Sequence, residues 1–229
     1  MENSYGLDME SVSMERFQTM LQNKDLLPSR RLLLEEMDAQ FAKLKAAGVQ
    51  TMADLVTLLK NSASVVKAAE LTGIPEEYLK VLRREVGGYQ PKPLRLAEFK
   101  HLSIAEVAAL QAAGIRTSFD LLCAGASKAG RATLAAQAGL PEALVQELVR
   151  IADLCRVMGV GMVSAQVFLE AGITSVGEIM TQPPVTMLEK TAAVYAGREP
   201  GAAPITMNDI LFCVDAARML PLVLEEDLA

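Results

Sequence analysis

Glycine, arginine and a short apolar turn come together in RVMGVGMVSAQVFLEAGITSVGEI, Arg156–Ile179. Gly159 and Gly161 bracket Val160, and each glycine inside helix-rich sequence costs about 1 kcal/mol relative to alanine. The stretch therefore needs a backbone shape that other residues resist. Two glycines around one apolar residue allow a tight reversal between helices, because glycine takes positive φ without steric cost. Val160 then faces the core, while the amides from Gly159 to Met162 form a concave set of donors at the start of the next helix. Such a nest suits an anion such as phosphate. Arg156 is the nearby cation, and Ala165 is small enough to let the two helices pack closely. Two readings stand: a purely structural turn, or a phosphate site.

Other residues offer less chemistry. Lys80, Arg83, Arg84, Lys92, Arg95 and Lys100 form a basic cluster that suits phosphate or an acidic partner, or simply a solvated helix face and loop. GASKAGRA, Gly125–Ala132, superficially resembles a nucleotide-binding loop but lacks the Gly-Lys-Ser/Thr ending and a preceding strand. Ser64–Lys67 has the serine-to-lysine spacing of some acyl-transfer enzymes without their companion motifs. His101 is the single histidine, which excludes a histidine-rich metal site. Glu35-Glu36, Glu76-Glu77 and Glu225-Glu226-Asp227 are adjacent acids that point apart on a helix, so they make no acid/base pair. Cys123, Cys155 and Cys213 are far apart, contain no C-x-x-C, and read as small buried hydrophobes in a reducing cytosol. Met158, Met162, Met180 and Met187 surround the glycine turn as core filling or as an adaptable binding surface.

The elements that position these residues are helical. Ala, Leu and Met are abundant while aromatics are only 4% and Trp is absent, which favours helices over strands. Apolar residues recur three and four apart in Phe41–Val49 and Glu76–Val86, and no alternating run appears. The chain also repeats itself: LKAAGVQTMADLV from Leu44, LQAAGIRTSFDLL from Leu110 and FLEAGITSVGEIM from Phe168. In each, glycine caps one helix, Thr51, Thr117 and Thr174 or Ser175 open the next, and Asp54, Asp120 and Glu178 sit in its first turn. Ala68–Leu82 parallels Leu134–Leu148, with glycine ending one helix and proline starting another.

GGYQPKPL, Gly87–Leu94, breaks any helix and marks a module border. The expected division is a polar N-terminal segment over 1–25, a first helical module over 26–93, and a second over 94–229. Residues 1–12 are expected to fray, Ala196–Pro204 to form a loop, and Met207–Met219 to form the last helix. The apolar stretch between Arg156 and Glu170 holds 13 residues, short of the roughly 18–20 that a membrane helix needs. The start, MENSYGLDMESVSMERF, is acidic and polar, unlike a secretory signal. A net charge of −6 argues against strong non-specific binding to nucleic acid or anionic membrane.

VMGVGMVSAQVFLEAGI resembles a helix-hairpin-helix, the apolar-x-Gly-apolar-Gly-x-x-x-Ala pattern of many DNA-repair and recombination proteins. The resemblance implies a grip on a DNA phosphate without reading sequence. Residues 131–179, with LLPSRRLLLEEMDAQFAKLKAAGV and EEYLKVLRREVGGYQPKPLRLAEF, are similar to an uncharacterised bacterial family built on this motif, over most of residues 26–220. Two departures weaken the DNA reading. Val163 stands where such hairpins commonly carry Lys or Arg, and the corresponding hairpin Phe99–Ile104 has no glycine. The expected fold is all-α, with two related modules and helix-hairpin-helix-like cores. The expected function is a non-catalytic interaction module that docks a protein partner. The alternative is weak, sequence-independent nucleic-acid binding through Arg156, Gly159, Val160, Gly161 and Met162 and the basic cluster. Neither reading requires a cofactor or metal.

Overall fold

A computed structural model describes residues 5–24, 26–198 and 205–227. These residues are all-helical; among them the only β pairing is two isolated bridges. The chain divides into two compact units, one over Asp8–Gln90 and one over residues 5–7 and 91–227 of those described. The smaller unit is thus an insertion in the sequence of the larger.

The inserted unit holds α1 (Met14–Asn23), α2 (Met37–Ala46), α3 (Met52–Leu58), α4 (Ser62–Thr72) and α5 (Glu76–Gly87), with a 3-10 turn at Pro28–Leu34. Its core is aromatic at one end, where Phe17 lies 6.0 Å from Phe41 and edge-on to Tyr89 at 5.8 Å. Beside it the Glu85 carboxylate accepts from Lys24 Nζ at 2.7 Å and Arg30 Nη1 at 3.2 Å, which ties the segment before α2 to α5. Residues 8–24 are therefore neither frayed nor a separate polar segment. Val12 is buried, and in α1 Met14, Phe17 and Leu21 are buried at the three- and four-residue spacing of an amphipathic helix.

The larger unit holds α6 (Ile104–Ala112), α7 (Ser118–Gly125), α8 (Lys128–Ala138), α9 (Glu142–Leu154), α10 (Met162–Glu170), α11 (Val176–Thr181), α12 (Pro184–Arg198) and α13 (Met207–Ala217). Helix α9 is its axis: Val145, Leu148, Val149, Ile151 and Ala152 are all fully buried. Helix α12 continues through Ala196, so the expected loop is helical at its start, and its remainder at 199–204 lies outside the described residues. Met187 is buried, and Met158, Met162 and Met180 pack partly buried against the core.

Three helix pairs turn by the same bonds. Gly48, Gly114 and Gly172 have φ of 91°, 87° and 73°. After them the Val49, Ile115 and Ile173 amides reach back to the Leu44, Leu110 and Phe168 carbonyls at 3.1, 2.9 and 2.8 Å. That is the reach of a Schellman stop. Thr51, Thr117 and Ser175 then cap α3, α7 and α11. Asp54 collects the amides of Gln50 and Thr51, and Asp120 those of Arg116 and Thr117. Glu178 takes the Thr174 amide. Upstream, Met52 N–H donates to the Val12 carbonyl at 2.9 Å and Ser118 N–H to the Leu94 carbonyl at 2.8 Å. In the third pair the equivalent Val176 N–H donates to a side chain instead, Asp153 Oδ2 at 2.7 Å. Pro75 and Pro141 sit at the N-cap of α5 and α9 rather than inside the first turn.

Candidate functional site

The reversal between α9 and α10 is real, but only one of its glycines is required by the backbone. Gly159 has φ of 87°, and a Cβ there would stand 3.0 Å from the Phe212 ring. Gly161 is extended at φ −92°, with nothing within 4 Å of a Cβ. Between them Val160 is buried, and Ala165 is fully buried where the helices meet. Gly159→Ser is therefore expected to cost about 1–2 kcal/mol, from the left-handed backbone and the crowded ring. Gly161→Ser is expected to be neutral or mildly stabilising, since serine is a preferred N-cap. Urea unfolding of the two variants checks the contrast.

The cation does not face the nest. Arg156 is fully buried, which corrects the expectation that it assists phosphate binding. Its Nη1 meets Asp153 Oδ1 at 2.5 Å, its Nε donates to the Tyr5 carbonyl at 2.9 Å, and its Nη2 donates to the Pro221 carbonyl at 2.6 Å. The Tyr5 hydroxyl pairs with Ser118 Oγ at 2.6 Å, and its ring lies edge-on to Phe119 at 5.7 Å. Burial, partly offset by the Ser118 bond, pushes the Tyr5 phenol up to about 12. Burial does the same to the thiols of Cys155 and Cys213, so these cysteines are inert fillers. Sequence reasoning missed Asp153 and Tyr5. The available signal was an acid three residues before an arginine inside the apolar run Ile151–Val157.

What remains of the nest is the first turn of α10. Gly161 supplies no side-chain cap, and Met162 is partly buried. The basic cluster does not act as one group within either unit. Lys80, Arg83 and Arg84 lie on α5 of the inserted unit, and Lys92, Arg95 and Lys100 belong to the larger one. Lys80 pairs with Glu76 at 2.8 Å, and Arg95 lies 3.8 Å from Glu98. Among the described residues no group of His, Cys, Asp and Glu is arranged to hold a metal ion. No helix among them is long and apolar enough to cross a membrane.

One surface feature stands out around this hairpin. His101 Nδ1 and Gln166 Nε2 meet at 3.1 Å and join the turn before α6 to α10. Three residues from each lie Ile104, 91% exposed, and Val163, 61% exposed. Leu211, beside the Phe212 that covers Gly159, is 43% exposed. Val163 is thus an apolar side chain open to solvent at the start of α10.

Comparison with curated proteins finds no match, and neither does comparison with solved structures. Residues 101–220, just over half of the chain, match a family model described as Domain of unknown function (DUF4332). The matched span contains the glycine turn, Asp153, Arg156, Ile104 and Val163, and the chain belongs to this family.

Proposed function

We propose that this chain is a non-catalytic helical interaction module, a protein-binding scaffold or adaptor. In this reading the chain is two related helical modules with helix-hairpin-helix-like cores, and the glycine turn of the second presents an apolar docking surface. The observation that carries the reading is the exposure of Ile104 and Val163, each three residues along the chain from one partner of the His101–Gln166 bond. Isolated exposed apolar residues are ordinary. A nearly bare isoleucine and an exposed valine, on segments joined by the His101–Gln166 hydrogen bond, make a better-defined contact. The cation of the glycine turn is meanwhile consumed internally by Asp153 and two carbonyls.

Ile104→Glu and Val163→Glu test it. Both positions are exposed, so each variant is expected to keep the helical circular dichroism and unfolding midpoint of the parent within about 0.5 kcal/mol. Partner recovery in quantitative co-purification is expected to fall by about tenfold or more, as for loss of an interface anchor. Equal recovery by folded variants and parent ends the proposal.

A second reading keeps weak, sequence-independent nucleic-acid binding. It is supported by the first turn of α10, where Gly161 leaves the amides without a side-chain cap. A gel shift at low salt decides it, because phosphate contacts are strongest there. No retardation under those conditions removes it.

A further inference from the structure

The stretch GASKAGRA, Gly125–Ala132, binds anionic groups after all, but they are carboxylates. Its glycines serve packing. A Cβ on Gly125 would come within 2.3 Å of Val149 Cγ2, and one on Gly130 within 2.3 Å of the Ala124 carbonyl oxygen. Ser127 caps α8 by accepting the Gly130 amide at 3.0 Å. The Lys128 amide, at the first helical position, donates instead to Glu225 Oε2 at 2.7 Å. The Glu225 amide donates to the Ala126 carbonyl at 2.9 Å, so main chain pairs with main chain. Next to it Arg131, 6% exposed, holds Glu226 at 3.2 Å and the Gly125 carbonyl at 3.0 Å. Leu224 is fully buried.

A run of three residues, Leu-Glu-Glu, is thereby read by an apolar anchor, a backbone pair and separate partners for each carboxylate. The arginine is not needed by the helix itself. Helix α4 opens in the same way behind Asn61, and its position matching Arg131 is Val65, which is also buried. The receiving residues Ala126, Lys128 and Arg131 fall inside the matched family span, whereas Leu224–Glu226 fall beyond it.

We propose that this corner of the family domain is a receptor for a short acidic peptide of the form apolar-Glu-Glu. It is filled in cis by Leu224–Glu226, which an acidic segment of a protein partner displaces. The mechanism is exchange. A nearly buried guanidinium stripped of its carboxylate is costly, so the tail's carboxylate leaves only as another takes its place. The Glu226 side chain is 39% exposed, so the ionic half is where an incoming acid begins and where salt weakens the hold. The site does not depend on the Ile104–Val163 surface.

The test uses the full chain with Glu225→Gln and Glu226→Gln, which leaves Leu224 in place. A fluorescent peptide of sequence MLPLVLEED, copying residues 219–227, is titrated against this variant and the parent. Binding to the variant is expected to be tighter than to the parent by about tenfold or more, the worth of charge-assisted bonds. Raised salt is expected to weaken it. A peptide with both glutamates changed to glutamine, or the further substitution Arg131→Gln in the protein, is expected to abolish it. Equal binding by variant and parent, or by acidic and glutamine peptides, overturns the proposal. Hydrogen exchange on the parent chain is an independent check: excess acidic peptide must speed exchange of the Glu225 amide, and unchanged exchange overturns the proposal whatever the variant's stability.

Discussion

Asp153→Ala is expected to destabilise the larger unit by about 3–5 kcal/mol, because it strands a buried guanidinium. The carboxylate has two tasks. Its Oδ1 neutralises Arg156, and its Oδ2 receives the Val176 amide that opens α11. Replacing both charges with apolar residues, often a harmless change for a buried pair, is not expected to rescue it. Arg156 also serves the carbonyls of Tyr5 and Pro221, and a leucine at 156 leaves them, with the Val176 amide, without these partners. Each lost buried bond of this kind costs about 1–3 kcal/mol. Urea unfolding followed by circular dichroism measures the effect, and site-resolved hydrogen exchange assigns it: protection should fall in α9–α11 and persist in residues 8–90. A loss under about 1 kcal/mol means that the network is not a structural anchor.

Gly130→Ala is the second large effect, expected to cost about 2–3 kcal/mol as an overpacking change. Two terms oppose each other. Alanine is the better helix former by about 1 kcal/mol, and position 130 lies in α8. Against this, the added methyl would stand 2.3 Å from the Ala124 carbonyl oxygen. That atom belongs to the main chain of the preceding turn and cannot rotate away as a side chain does, so the clash prevails. A lowered urea midpoint confirms this. A raised one means that propensity dominates and the turn between α7 and α8 yields.

Local chemistry was legible in the sequence and long-range burial was not. Gly48, Gly114 and Gly172, with Thr51, Thr117 and Ser175 and the acids three residues on, announce their corners because every bond spans at most five residues. Met14, Phe17 and Leu21 carried helical spacing too, but the surrounding serines and glutamates masked it, and residues 1–25 read as polar. Arg156 was misread because residue type alone places arginine at the surface. Beyond Asp153, it bonds to carbonyls from positions 5 and 221, which no local pattern brings together. Gly159 and Gly161 look equivalent on paper, and only the φ of 87° and the Phe212 ring separate them. Arg131 was passed over within a rejected nucleotide motif, since its acid lies 95 positions away.

Ser118 Oγ has a wider consequence. It accepts the Leu94 amide at 2.9 Å and pairs with the Tyr5 hydroxyl at 2.6 Å. The chain therefore leaves the larger unit soon after one of these contacts and returns to it shortly before the other. Both flanks of the inserted segment are thus fastened to one hydroxyl of the larger unit. Architecturally, that hydroxyl is a clasp that closes the larger unit's own chain across the interruption.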